Sequence, residues 1–405
     1  MFDRTVQEMV LARDGPLVGC GYKWITWSTL FRVWHSVAKS EFGKMGMLTR
    51  TQPGDNGNGV NAPFSVPSGS IKVDLLNNLR TAISTKGGSD LQNLLAHTIT
   101  SQVTEPRDRI YALLGMMEKE DRESITVDYS RPLGVVYAEA IARLCQKGQG
   151  LFFLSKVELA GLSANSCYPS WAPKFGGEFP FSPLRLQPPG IGASGAGSEC
   201  ANGTVDPDLK TFRVRGLHID VIANIVAFEQ GVECLKQLPQ VEALATKAHQ
   251  LAASSANDRS YLNAFKTKEP LWRTLIANKA YSGAAREEAP ESYRVMYEAL
   301  LSDPRSADES IREYRLALLN HLPSGYFFIT ETGFCGISQE PITKGDHLAI
   351  WFGAPVPFIL RPKADTKNTI YAVIGAAYVA GIMDGEMVDE VYCEDLEDDI
   401  VFVVR

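Results

Sequence analysis

Apolar residues recur at helical spacing through the first 150 positions. Val6, Met9, Val10 and Leu11 form such a set at the very beginning of the chain, with no capping residue ahead of them. It reads as the middle of a fold, with part of its packing expected to be missing. Leu30, Val33, Trp34 and Val37 follow Ser28, a candidate N-cap. Leu75, Leu76, Leu79 and Ile83 share one helical face, and Leu91, Leu94, Leu95 and Ile99 share another after Ser89. Ile110, Leu113 and Leu114 follow Pro106, with Gly115 as a stop. Val136, Ala140, Ile141 and Leu144 follow Ser130-Arg131-Pro132, and Gly148 supplies a left-handed stop. Beyond the set at the very start, these five amphipathic helices predict an amino-terminal helical domain, interrupted by a surface loop over residues 54–69, rich in Gly, Asn and Pro.

The period changes in the second half. Phe212, Val214, Leu217, Ile219 and Val221 alternate with Arg213, Arg215, His218 and Asp220, which predicts strand on either side of a break at Gly216. Residues 230–320 return to helical composition as an insertion. Short β-rich runs then recur at 326–330, 334–337, 347–352, 356–360, 370–378 and 400–404, separated by Gly, Pro or Asp. The expected class is α+β: a helical domain over residues 1–185, a Gly/Pro/Ser-rich linker over 186–205, and a small antiparallel β-barrel or sandwich over 206–405 carrying the helical insertion. No internal repeat is visible.

Composition narrows the function classes. The 405 residues are 45% hydrophobic and 21% charged, enough apolar material for a soluble globular protein. Forty basic and 47 acidic residues give a net charge of -7, opposite to the footprint of a nucleic-acid binder. The longest apolar run, residues 370–383, is too short to span a bilayer, and the charged start is no secretory signal, so a cytoplasmic location is expected. Seven scattered cysteines without a CxxC pair read as reduced thiols.

Tests for chemistry mostly return structural readings. Gly190-Ile191-Gly192-Ala193-Ser194-Gly195 matches GxGxxG, but Pro188 and Pro189 stand where a strand is needed, so it reads as linker. There is no GxSxG, no phosphate loop and no HExxH; the six histidines stand alone, and no metal or cofactor is expected. Cys335 and His347, which could meet as a thiol–imidazole pair, are expected to be ordinary packing residues. The acidic run from Asp384 to Asp399 reads as a solvated face. The densest motif is residues 104–115, TEPRDRIYALLG, a helix start in which Thr104 caps, Pro106 occupies the first turn, and Glu105 and Asp108 suit the positive dipole end. Arg107 and Arg109 cannot face the same side, so one is expected to pair internally with a carboxylate and the other to reach solvent or a partner.

That motif resembles the "DPRDRIYALLGL" signature of the fungal heterokaryon incompatibility (HET) family. Residues 6–12, with Gln7 and Glu8, resemble the family's "WxxQE" element, and 19–27 its continuation. Residues 125–132, with Asp128 and Tyr129, resemble "IxxDYSKP". Residues 169–173, with Trp171, resemble "PSWVPDW", departing from it at Lys174-Phe175. In the carboxyl half, residues 327–333, Gly345-Asp346, 356–361 and 375–386, with Gly381, Asp384 and Gly385, resemble the family's tail. The upstream "LSYxWG" and "WIDxxCINQ" elements do not occur, and Arg4 stands where the family has tryptophan.

The resemblance implies a member truncated at the amino terminus and lacking the TIR-like half. It implies a non-enzymatic protein of fungal self/non-self recognition, linked to programmed cell death, that contacts a protein partner such as an allelic or non-self incompatibility factor. Nucleic acid, membrane and cofactor are not expected as partners. Gln7, Glu8, Arg107, Asp108, Arg109, Tyr111, Asp128, Tyr129, Trp171, Gly381, Asp384 and Gly385 are the implied organising or contact residues. The other readings are an accessory protein of a metabolite-biosynthesis gene cluster and a fragment of a nucleotide-hydrolysing enzyme.

Overall fold

The computed structural model describes residues 2–12, 15–39, 68–98, 103–155, 168–173, 203–254, 269–281, 288–306, 308–363, 369–388 and 399–405. The chain divides into two compact units, Met1–Tyr129 and Ser130–Arg405. The loop expected at 54–69 lies almost wholly outside the described residues, as does the linker expected at 186–205 up to its last three positions. The class is α+β, as the two periodicities predict.

The first unit contains α1 (Phe2–Leu11), strands β1 (Leu17–Cys20) and β2 (Lys23–Thr26), then α2 (Trp27–Lys39), α3 (Ser68–Lys86), α4 (Leu91–Thr98), α5 (Asp108–Tyr111) and α6 (Lys119–Ser124). Of the apolar set at the start of the chain, Val6 and Val10 are buried, Met9 is half-buried and Leu11 is exposed. Arg80 fastens α1 by donating to the Met9 carbonyl at 2.9 Å. The helix starts differ from expectation in their caps. The Thr26 hydroxyl, not Ser28, accepts from the Thr29 N–H, and Asp90, not Ser89, accepts from Asn93 N–H at 3.0 Å. Ser89 instead pairs its main chain with Met116 and Glu118. Gly88 makes that approach possible, since a Cβ there would lie 2.6 Å from the Glu118 nitrogen. The antiparallel hairpin β1–β2 was not anticipated.

In the second unit, α7 (Leu133–Gln146) and α8 (Gly150–Leu154) come first, and Gly148 between them has φ +74, the left-handed stop predicted. The strands are β3 (Thr204–Val205), β4 (Phe212–Ala227), β5 (Tyr326–Thr330), β6 (Cys335–Ser338), β7 (His347–Trp351), β8 (Phe358–Lys363), β9 (Ile370–Val379) and β10 (Asp399–Val404). Between β4 and β5 lie α9 (Leu238–Ser254), α10 (Leu271–Thr274), α11 (Ser292–Ser302) and α12 (Arg312–His321), the predicted insertion.

The pairing path runs β4-β5-β6-β9-β8-β7 and returns to β4, with β10 laid antiparallel to β4 and parallel to β9. This return depends on β4, whose 16 residues are long for a strand. Its carboxyl-terminal part pairs with β5, while Gly216–Val221 pairs with β7. Register shifts at His218/Asp220 and Ile222/Asn224 bend it between the two partners. Gly216 does not break the strand: it lets the Ile350 main chain approach, because a Cβ would overlap that carbonyl oxygen. The interior is apolar, with Ile222, Phe328, Phe334, Leu348, Ile350, Ile359 and Val379 buried together. Trp351 stacks on Phe358 at 4.2 Å and meets Phe212 edge-on, which in turn packs on Trp171. Each such side chain contributes about 1.5 to 3 kcal/mol by leaving water.

Candidate functional site

The helix-start motif of the first unit gathers most of the residues singled out in the sequence. The Glu105 carboxylate accepts from the Arg107 N–H at 3.1 Å and from its guanidinium at 2.6 Å, and those two bonds hold its pKa below the usual carboxylate value. Arg107 stands at the N-cap of the helix with no side-chain cap bond, so Thr104 does not cap it. The helix is shorter than predicted: α5 passes into a 3-10 turn at Leu114–Met116, with Gly115 inside it. Arg107 is the cation paired with a carboxylate and Arg109 the buried one, donating to the Thr98 carbonyl at 2.8 Å. Arg107 thus meets the expectation that one of the two pairs with a carboxylate, whereas Arg109 is buried and does not reach solvent.

Tyr111 and Tyr129 join this motif to the "DYS" segment. The Tyr111 hydroxyl donates to the Asp128 carbonyl at 3.1 Å and accepts from the Asp128 N–H at 3.3 Å. The Tyr129 hydroxyl donates to Asp108 Oδ1 at 2.6 Å, and that hydrogen bond, with burial and the Asp108 charge behind it, pushes its pKa up to about 12. The two rings meet edge-on at 5.2 Å. Gln7 reaches the same turn by donating to the Ala112 carbonyl, whereas Glu8 is exposed.

The remaining motif residues lie in the second unit. Trp171 is fully buried, its indole N–H donating to the Lys210 carbonyl at 3.2 Å, while neighbouring Ser170 donates to the Arg405 carbonyl and accepts from Val373 N–H. Gly381 (φ +78) and Gly385 (φ +96) shape the turn after β9, and the Asp384 N–H donates to Glu386 Oε2 at 2.8 Å. On β9 itself, the Tyr378 hydroxyl donates to Glu269 at 2.6 Å; burial pushes the Glu269 pKa up, and Asp384 adds to that shift.

The structure also assembles groups that carried no motif. The Asp346 carboxylate, 1% exposed, receives Arg361 Nε at 2.7 Å and Nη2 at 2.8 Å, plus the Thr343 N–H at 2.7 Å. Asp220 accepts from the Thr332 N–H and hydroxyl. His347 does not meet Cys335; its Nδ1 lies 2.9 Å from His218 Nε2, so one ring donates and the other accepts, and burial lowers the His347 pKa. Cys335 is buried in β6 with its thiol pushed up to about 12. His321 donates from Nδ1 to the Ala317 carbonyl at 2.8 Å, which fixes the tautomer, and burial drives its pKa down to about 4. Facing residues on β4 and β7 could have suggested the histidine pair; the register shift between His218 and Asp220 is what hid it. Among the described residues no cluster of three or more metal-ligating side chains occurs, and no helix is long and apolar enough to cross a membrane.

The family model described as the Het-6 beta-barrel domain matches residues 241–397, which take in β5 to β9 and the helices before them. Heterokaryon incompatibility protein 6, OR allele, of Neurospora crassa is 23% identical over 354 residues. Over these stretches the chain is similar to heterokaryon incompatibility proteins. The alignment with the Neurospora HET protein covers 72% of this chain and 50% of the relative, so the chain spans about half the length of the curated relative it matches. No solved structure matches this chain. The domain match begins after β4 and ends before β10, yet β4 is the strand on which the pairing path of this chain returns.

Proposed function

We propose that this chain is a cytoplasmic, non-enzymatic HET-family protein of fungal self/non-self recognition, acting through protein contacts in a response linked to programmed cell death. The observation that carries the reading is the alignment with a heterokaryon incompatibility protein along most of the chain. The site geometry is in keeping with it. Asp220, Asp346, Glu269 and Asp108 each accept hydrogen bonds from neighbouring protein groups, which suits carboxylates that organise a binding scaffold.

Expression in a compatible fungal strain, alone and with allelic partners, tests the proposal. The expected outcome is a growth or fusion defect in particular pairings and none in others. Normal fusion in every pairing, with the protein present at wild-type levels, would sink it. Consumption of a nicotinamide dinucleotide by the purified chain would reverse the non-enzymatic part.

A further inference from the structure

The first unit displays an unusual surface. Strands β1 and β2 form a two-stranded hairpin, a size that is marginal alone in water. Both strands stay almost wholly exposed, and they present Leu17 at 61%, Tyr22 at 103% and Trp24 at 66% exposure. Gly21, at φ +60, occupies the first position of a two-residue turn between Cys20 and Lys23. Leu17 and Trp24 lie on the same face, because Leu17 pairs with Thr26 and Gly19 with Trp24. The Trp24 ring crosses Gly19, where a Cβ would sit 2.9 Å from it, so the indole forms a flat apolar platform.

The main chain of the hairpin is open as well. A two-residue turn makes its flanking pair, Cys20 and Lys23, exchange hydrogen bonds, and alternate pairs then do the same. The Trp27 N–H bond to the Pro16 carbonyl at 2.8 Å continues that phase. The Trp24 N–H and C=O consequently point away from β1, toward an edge with no main-chain partner among the described residues.

Charge selects the occupant. Residues 15–40 carry Lys23, Arg32 and Lys39 and no carboxylate, in a chain of net charge -7. The β2 strand of a second copy would bring no carboxylate to face Lys23. Lipid cannot satisfy open N–H and C=O groups. We infer that the outer edge of β2 receives an extended acidic segment of a partner protein as a third strand, its main chain bonded to Trp24, an apolar side chain on the Trp24–Leu17 platform and an acid opposite Lys23. This rests on the reading that the chain acts through protein contacts.

The test uses the full chain and a labelled peptide of alternating valine and glutamate, read by fluorescence anisotropy. Saturable, salt-weakened binding is expected, at least about tenfold tighter than for the lysine-for-glutamate peptide. N-methylation of the peptide's edge-facing amides should abolish it. Trp24→Ser should weaken binding about tenfold or more and Lys23→Glu should invert the charge preference, with melting temperature and circular dichroism unchanged. Equal binding of the N-methylated peptide, hairpin-dependent dimerisation in place of peptide binding, or binding only to phosphatidylserine vesicles would each overturn the assignment. So would a Trp24→Ser chain that triggers incompatibility as strongly as the wild type, and that result leaves the incompatibility reading intact. Normal fusion in all pairings despite tight peptide binding would remove the incompatibility reading instead.

Discussion

Two charged pairs, one in each unit, sit at different depths. In the first, the Glu105–Arg107 pair and the Tyr129–Asp108 bond lie at the surface, where water screens them. In the second, the Asp346–Arg361 pair places a nearly inaccessible carboxylate between β7 and β8 and satisfies it with a planar fork and a main-chain amide. The same chemical pairing thus orders a helix start in one place and holds two strands in register in the other. A dense charged motif is therefore no guide to where charge matters most for stability.

That contrast can be broken by mutation. Arg361→Ala leaves the Asp346 carboxylate buried with its main cation gone and is expected to cost about 3 kcal/mol, read as a lowered midpoint in chemical denaturation. Arg361→Lys keeps the charge without the fork and should fall between wild type and Ala. Acid should reach the second unit through His321. Its pKa is lowered from 6.5 to about 4, so the unfolded chain binds the extra proton first. Stability is then fully present above pH 6.5, falls as pH drops toward 4, and changes no further below that through this group. The total is about 3 kcal/mol, and the difference between wild type and His321→Gln across this window isolates it. A slope equal in both proteins would refute the assignment.

Smaller effects sharpen the comparison. Gly216→Ala forces a methyl onto the Ile350 carbonyl and should destabilise by about 1 to 3 kcal/mol, with hydrogen exchange rising along the β4–β7 pairing. Tyr129→Phe removes a bond at the surface of the first unit and should cost no more than about 1 kcal/mol. A loss as large as that of Arg361→Ala would erase the distinction between the units.

Much of this architecture was readable from the chain. The six carboxyl-terminal strands fell within a few residues of their predicted positions because Gly, Pro and Asp punctuate β-branched and aromatic runs there. The helices of the first unit were visible in apolar spacing, but their caps were not, since Asp90 and Thr26 win by local geometry over the serines beside them. Gly216 misled because a glycine in a strand signals both a break and a close approach, and only the position of β7 decides between them. The hairpin β1–β2 was hidden by its own exposure, which leaves no alternating burial to detect. Of the candidate site, Tyr111, Asp108 and Tyr129 were placed by their motifs. The His218–His347 pair joins residues 129 positions apart, a distance no local pattern spans.

The long strand β4 also has a history within each molecule's synthesis. Apart from the two-residue β3, every strand that pairs with it leaves the ribosome well after it. Its partner β5 follows about a hundred residues later, on the order of ten seconds at usual elongation rates, and β10 is the last strand made. During that interval a strand bearing Phe212, Val214, Leu217 and Ile222 waits with open edges beside other nascent chains. The yield of folded protein should therefore depend on how fast the carboxyl-terminal half is translated, and on chaperones that shield β4 until its last neighbour arrives.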